Sequence, residues 1–104
     1  MYIGANIFSN AKRLKSLNLG SDNPNYHNAN LTTLTVNPNM PLLETLNIKN
    51  CDGLGGIINL SESNNLRVIE AAGTQITGVT LPPYTSITTL HLPSSVNTLN
   101  LNSA

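Results

Sequence analysis

The sequence predicts a mainly β protein with little or no helix: a parallel β-solenoid of about 20–23 residues per coil, with two short strands in each coil. Three observations carry that expectation. An apolar-x-x-apolar-x-apolar pattern recurs eight times between Leu14 and Leu101, and successive copies start 17, 12, 12, 11, 10, 11 and 9 residues apart. The chain holds 17 Asn and 11 Thr, while only 10% of its residues are charged. Asn tolerates left-handed backbone and Thr favours strands, so that balance suits many short strands joined by tight turns.

The period decides between architectures. Eleven residues span at most ~36 Å when fully extended. One strand and its return in that length would make a thin hairpin, with nothing for its apolar side chains to pack against. Two copies per coil give the apolar positions a shared interior. The longer spacings agree, with 23 residues from Leu43 to Leu66, 21 from Leu66 to Ile87 and 20 from Ile76 to Val96. Strands over 43–48, 66–71 and 87–92 are therefore expected on one face, and strands over 31–36, 55–60, 76–81 and 96–101 on the other. Side chains alternate along a strand, so the fourth and sixth positions of each copy point inward and the third and fifth point out.

Residues 1–13 fit no copy and are expected to form a lead-in, with Ser9 or Asn10 capping one helical turn through Arg13. The repeat region is 14–104. It opens with Leu14-x-x-Leu17-x-Leu19 and a polar loop, Gly20 to Asn30. Leu31-x-x-Leu34-x-Val36 and Leu43-x-x-Leu46-x-Ile48 follow, separated by Asn37-Pro38-Asn39-Met40-Pro41. The copy Gly55-x-x-Ile58-x-Leu60 is imperfect, with Leu54 and Ile57 beside it. Leu66, Ile76, Ile87 and Val96 open the remaining copies. The last, Val96-x-x-Leu99-x-Leu101, is as apolar as an interior one and has no polar cap. The expectation is a fragment of a longer protein, or a subunit whose C-terminal coil packs end-on or by its edge against another chain.

Bulk properties narrow the function. Formal net charge is zero, which leaves no electrostatic footprint for nucleic acid or an anionic membrane. Lys12, Arg13 and Lys15 read as a solvated turn and not a phosphate site. A single cysteine excludes an internal disulfide framework. No apolar run approaches the ~18 residues of a membrane span.

Leu43-Glu44-Thr45-Leu46-Asn47-Ile48-Lys49-Asn50-Cys51 resembles the leucine-rich repeat position for position, with Cys51 in that repeat's Asn/Cys slot. Asp22 and Asn39 fall in the same slot of earlier copies, whereas Thr74 and Ser95 depart from it. The lack of helical segments is closer to the irregular, strand-rich repeats of bacterial surface proteins and of phage tail or virion proteins. The stretches IFSNAKRLKSLNLGSDNPNYHNANLTTL and GTQITGVTLPPYTSITTLHLPSSVNTLNL look like the phage variety. The resemblance implies a non-enzymatic structural or protein-interaction module in a virion. The alternative is an adhesion module on a bacterial surface, binding a host protein or glycan through Thr33, Thr35, Thr89 and their neighbours.

Candidate site residues are few. Asn47, Glu70 and His91 hold the fifth position in three successive copies of one face, so stacking brings Glu70 and His91 within reach of each other. A carboxylate beside an imidazole can serve acid–base chemistry, yet the same pair is an ordinary cross-strand contact, and no nucleophile accompanies it. Tyr26 and Tyr84 sit in turns where an aromatic ring can anchor a partner or cover the core edge. His27 and His91 lie 64 residues apart without metal-ligand spacing. Asp52-Gly53 with Gly55-Gly56 matches no phosphate-binding loop. Cys51 reads as a small buried residue. Asn30-Leu31-Thr32 and Asn59-Leu60-Ser61 match a glycosylation acceptor, as expected by chance in so Asn-rich a chain. With five acidic residues and no pair placed on one face, a glycan hydrolase is not expected. No cofactor and no metal are expected.

Overall fold

The computed structural model describes residues 2–3, 12–23, 25–36, 40–82 and 87–101, and these residues are mainly strand and turn, with no helix among them. Nine strands lie among the described residues: β1 (Tyr2–Ile3), β2 (Ser16–Asn18), β3 (Thr33–Leu34), β4 (Thr45–Asn47), β5 (Gly55–Asn59), β6 (Val68–Glu70), β7 (Gln75–Leu81), β8 (Thr89–His91) and β9 (Thr98–Leu101). They form parallel sheets ordered β2-β4-β6-β8, β5-β7-β9 and β1-β3. From β4 to β9 the chain alternates between the four-stranded and the three-stranded sheet.

Register joins equivalent positions of different copies. Leu17 pairs with Leu46, Leu46 with Ile69 and Ile69 with Leu90. In the other sheet Ile58 pairs with Val79 and Val79 with Leu99. Both sheets feed one core, in which Leu43, Leu46, Ile69, Ile58 and Val79 are all buried. Fully burying a side chain of this size contributes ~1.5–3 kcal/mol. The third and fifth positions, such as Thr45 and Asn47, are only half-buried, as the period-two alternation requires.

The four-stranded sheet reuses one hydrogen-bond device. The carbonyl of Lys15 accepts from the N–H groups of Glu44 and Thr45 at 2.7 and 3.0 Å. Glu44 O accepts in the same way from Arg67 and Val68, and Arg67 O from Thr88 and Thr89. The corners are built of successive four-residue turns. Cys51 N–H bonds Ile48 O at 3.1 Å and Leu54 N–H bonds Cys51 O at 3.0 Å. Ser63 N–H bonds Leu60 O and Leu66 N–H bonds Ser63 O in the same manner.

Several details depart from the sequence expectation. Strands in the four-stranded sheet are three residues long, although the sixth positions still bond across to the next strand, Leu19 N–H to Asn47 O, Ile48 N–H to Glu70 O and Ala71 N–H to His91 O. β3 pairs with β1 and does not join the ladder of β5, so Tyr2–Ile3, which fits no copy, is nevertheless a strand. The expected helical turn falls largely outside the described residues; Lys12 and Arg13 are in a turn. In the imperfect copy, Leu54 is fully buried in place of an apolar residue at 55. A register shift between Gly56 and Ile57, where β7 carries Thr77 as an extra residue, offsets Gly55 and Gly56 by one, whereas Ile57, a third position, points out at 62% exposure as the alternation requires.

Candidate functional site: a charged ladder and a clasped loop

The most populated cluster of ionisable groups lies where the four-stranded sheet meets the loop after β2. Asn18, Asn47, Glu70 and His91 form one rung across β2, β4, β6 and β8. His91 Nδ1 lies 3.1 Å from the Glu70 carboxylate. Lys49 Nζ lies 2.9 Å from Glu70 Oε2 and also bonds Asp22 in the loop. The ladder therefore runs Asp22, Lys49, Glu70, His91, with the two carboxylates alternating with an ammonium and an imidazole. Lys49 first, then His91, hold the Glu70 carboxyl below its ordinary value by hydrogen bonding to its charged form. Asp22 and then Glu70 raise Lys49.

The loop is fastened by five consecutive residues. Besides the Lys49–Asp22 pair, Asn50 Nδ2 donates to Ser21 O at 3.0 Å and Cys51 Sγ to Leu19 O at 3.3 Å. Asp52 Oδ2 lies 3.1 Å from His27 Nδ1. At Gly53 a Cβ would collide with the backbone of Ala29, so only glycine allows the two segments to lie so close. Asn50 sits at φ 60°, a left-handed conformation that Asn tolerates, and its carbonyl accepts from Asn28 N–H at 3.1 Å.

The residues singled out from sequence have these places. Glu70 and His91 touch. Asn47 Oδ1 accepts Lys49 N–H at 3.0 Å and so closes the end of its strand. Thr89 is half-buried in β8. The Tyr26 hydroxyl donates to Leu19 O at 3.1 Å, which ties the ring down to the corner. Tyr84 lies outside the described residues. Lys49 and Asp52 were not singled out; Lys49 stands one residue past the end of its copy, and nothing in a single copy marks it. Cys51 is fully buried and its thiol is pushed up by burial and by Asp52. Thr74 and Ser95, the departures from the Asn/Cys slot, do comparable work: Thr74 Oγ1 donates to Ala71 O at 2.8 Å and Ser95 Oγ to Ile76 O at 2.7 Å.

Chemically Asp22, Lys49, Glu70 and His91 satisfy one another, whereas Asp52 Oδ1 is buried without a hydrogen-bond partner among the described residues. A general acid or base works best with a pKa near the operating pH, and a thiol attacks as thiolate. Glu70 is pushed down, Lys49 up and Cys51 up, each away from neutrality. Among the described residues, no three His, Cys, Asp or Glu side chains are grouped to hold a metal.

A second feature lies near the start of the same strands. A shallow groove of about 490 Å³ is lined by Glu44, Asn64, Asn65, Arg67 and Thr88. Glu44, Arg67 and Thr88 hold the second position of three successive copies. The positional reasoning that picks out Glu70 and His91 applies equally to them.

Comparison with family models, curated proteins and solved structures finds no match to this chain.

Proposed function

We propose that the chain is a leucine-rich-repeat-type parallel β-solenoid acting as a non-enzymatic structural and protein-interaction module, in a bacteriophage tail or elsewhere in a virion. The observation that carries the reading is the register. Leu17, Leu46, Ile69 and Leu90 align across four parallel strands, Ile58, Val79 and Leu99 align across three more, and all of these except Leu99 belong to one core. Strands that repeat this way bury their apolar positions only against other copies, which suits a scaffold. The self-satisfied charges and the inert thiol support a role without catalysis.

The partner in this reading is another protein chain packed end-on. Leu99 is 46% exposed, whereas its equivalents Val79 and Ile58 are 1% and 2% exposed. Leu90, Leu92 and Val96 are likewise only partly buried. The second reading, adhesion at a bacterial cell surface, is favoured by the half-exposed threonines Thr33, Thr35, Thr45 and Thr89. The flanking reading frames test the pair. Tail and baseplate genes support the virion module, and a signal peptide with a cell-wall anchor on the same polypeptide supports adhesion. Turnover of a glycoside or ester panel by the purified chain would sink both.

A further inference from the structure

We propose that the groove bounded by Glu44, Asn64, Asn65, Arg67 and Thr88 is a binding site for a neutral saccharide. The inference goes beyond the module reading and stands on the groove alone. Its starting point is a contrast in how polar side chains are used. Asn18, Asn23, Asn28, Asn47 and Asn59 each give the side-chain oxygen to a backbone N–H. Glu70 is held by Lys49 and His91. In the groove, the side chains of Asn64, Asn65, Arg67 and Glu44 have no hydrogen-bond or ion-pair partner among the described residues. Glu44 and Arg67 stand at the same position of adjacent copies and carry opposite charge, yet they form no ion pair.

The chemistry of the lining selects the ligand. A volume of about 490 Å³ falls within the ~300–1,000 Å³ of small-molecule sites. All five lining residues are polar, with no aliphatic or aromatic side chain among them, so the lining favours a ligand that hydrogen-bonds over a purely hydrophobic one. One carboxylate and one guanidinium leave the lining without net charge, so neither an anion nor a cation is drawn in over distance. Glu44 only accepts hydrogen bonds, Arg67 only donates, and the two amides and the Thr88 hydroxyl do both. Neighbouring ring hydroxyls of a sugar also do both, and a diol can donate to Glu44 while accepting from Arg67 and the amides. Thr88 Oγ1 is turned toward Arg67 O at 3.4 Å, which leaves its lone pairs open to the groove. An open, shallow site of this kind binds weakly, at millimolar concentration.

The experiment is an amide-shift titration of the isotope-labelled chain with methyl α-mannoside and N-acetylglucosamine, with galacturonate and inorganic phosphate as charged probes. A saturable response to at least one neutral sugar is expected, centred on Asn64, Asn65, Arg67 and Thr88. It should weaken roughly tenfold or more in Arg67→Ala and in Asn65→Ala, both exposed positions, and persist in Gln75→Ala on the other sheet. Dispersed amide spectra verify that each variant is folded. Silence with both neutral sugars up to their solubility limits would overturn the proposal. So would saturation by galacturonate or phosphate alone, or a sugar response that survives both groove substitutions.

Discussion

At the corner from Ile48 to Leu54 the left-handed residue is Asn50, with φ 60°; at the corner from Ala71 to Ile76 it is Gly73, with φ 81°. The two corners stack, and Asn50 N–H donates to Ala72 O at 2.9 Å. Where Cys51 reaches out of its corner to Leu19 O, Thr74 bonds back within its own corner to Ala71 O. The first corner reads Lys-Asn-Cys-Asp-Gly and holds an eleven-residue loop; the second reads Ala-Ala-Gly-Thr and holds none. The backbone plan therefore asks only for a residue that accepts positive φ and a small donor after it. The charges and the long side chains belong to the loop.

The largest effect tests whether the corners rest on a common core. Leu46→Ala and Ile69→Ala precede the two corners from equivalent, fully buried positions, and each is expected to cost ~2–5 kcal/mol in urea denaturation. A loss confined to one of them would show that the copies are not equivalent. Gly53→Ala is next, at roughly 1–3 kcal/mol, because the new methyl meets the Ala29 backbone, which cannot swing aside. Gly73→Ala is expected to cost ~1–2 kcal/mol through its positive φ and its crowding against Asn50. Hydrogen exchange separates the two. The Thr74 amide, bonded to Ala71 O across the turn that holds Gly73, should exchange faster in Gly73→Ala and remain protected in Gly53→Ala.

Smaller effects sharpen the electrostatic side. Glu70 has a depressed pKa in the folded chain, so its contribution to stability is complete above the ordinary glutamate value and is lost as pH falls through the folded value. Acid titration of Glu70→Gln should therefore show a flatter loss of stability below the ordinary glutamate range. An unchanged acid limb would mean that Lys49 and His91 do not hold the carboxylate. Lys49 behaves in the opposite sense: its raised pKa gives stability that is present below the ordinary lysine value and lost as pH rises through the raised one. Asp22→Asn should have the smallest effect of the set, vanishing in molar salt, because its carboxylate is exposed and its pair with Lys49 is screened.

The apolar pattern made Leu46, Ile48 and Ile69 legible as inward residues, because alternation along a strand leaves only one way to bury them. It also put Glu70 beside His91, since equal positions in copies 21 residues apart must stack in a parallel ladder. The pairing of β1 with β3 was not legible, because a two-residue strand carries no period. Nor was the register shift at Gly56, which depends on one extra residue in the partner strand, β7. The groove was legible in principle: Glu44, Arg67 and Thr88 share a position, but no rule marks two turn asparagines as lacking partners.

The sequence alone determined the strand-rich class, the inward and outward residues, and which copies from Leu43 onward lie side by side, because copy spacing and side-chain alternation leave little freedom in a parallel register. Tertiary structure decided how the polar groups are used. It bent the loop after β2 back onto Lys49–Gly53, tied down the Tyr26 hydroxyl, saturated Glu70 and left Arg67 open. Those choices depend on how far long side chains reach between copies, and on a loop path that no periodicity constrains.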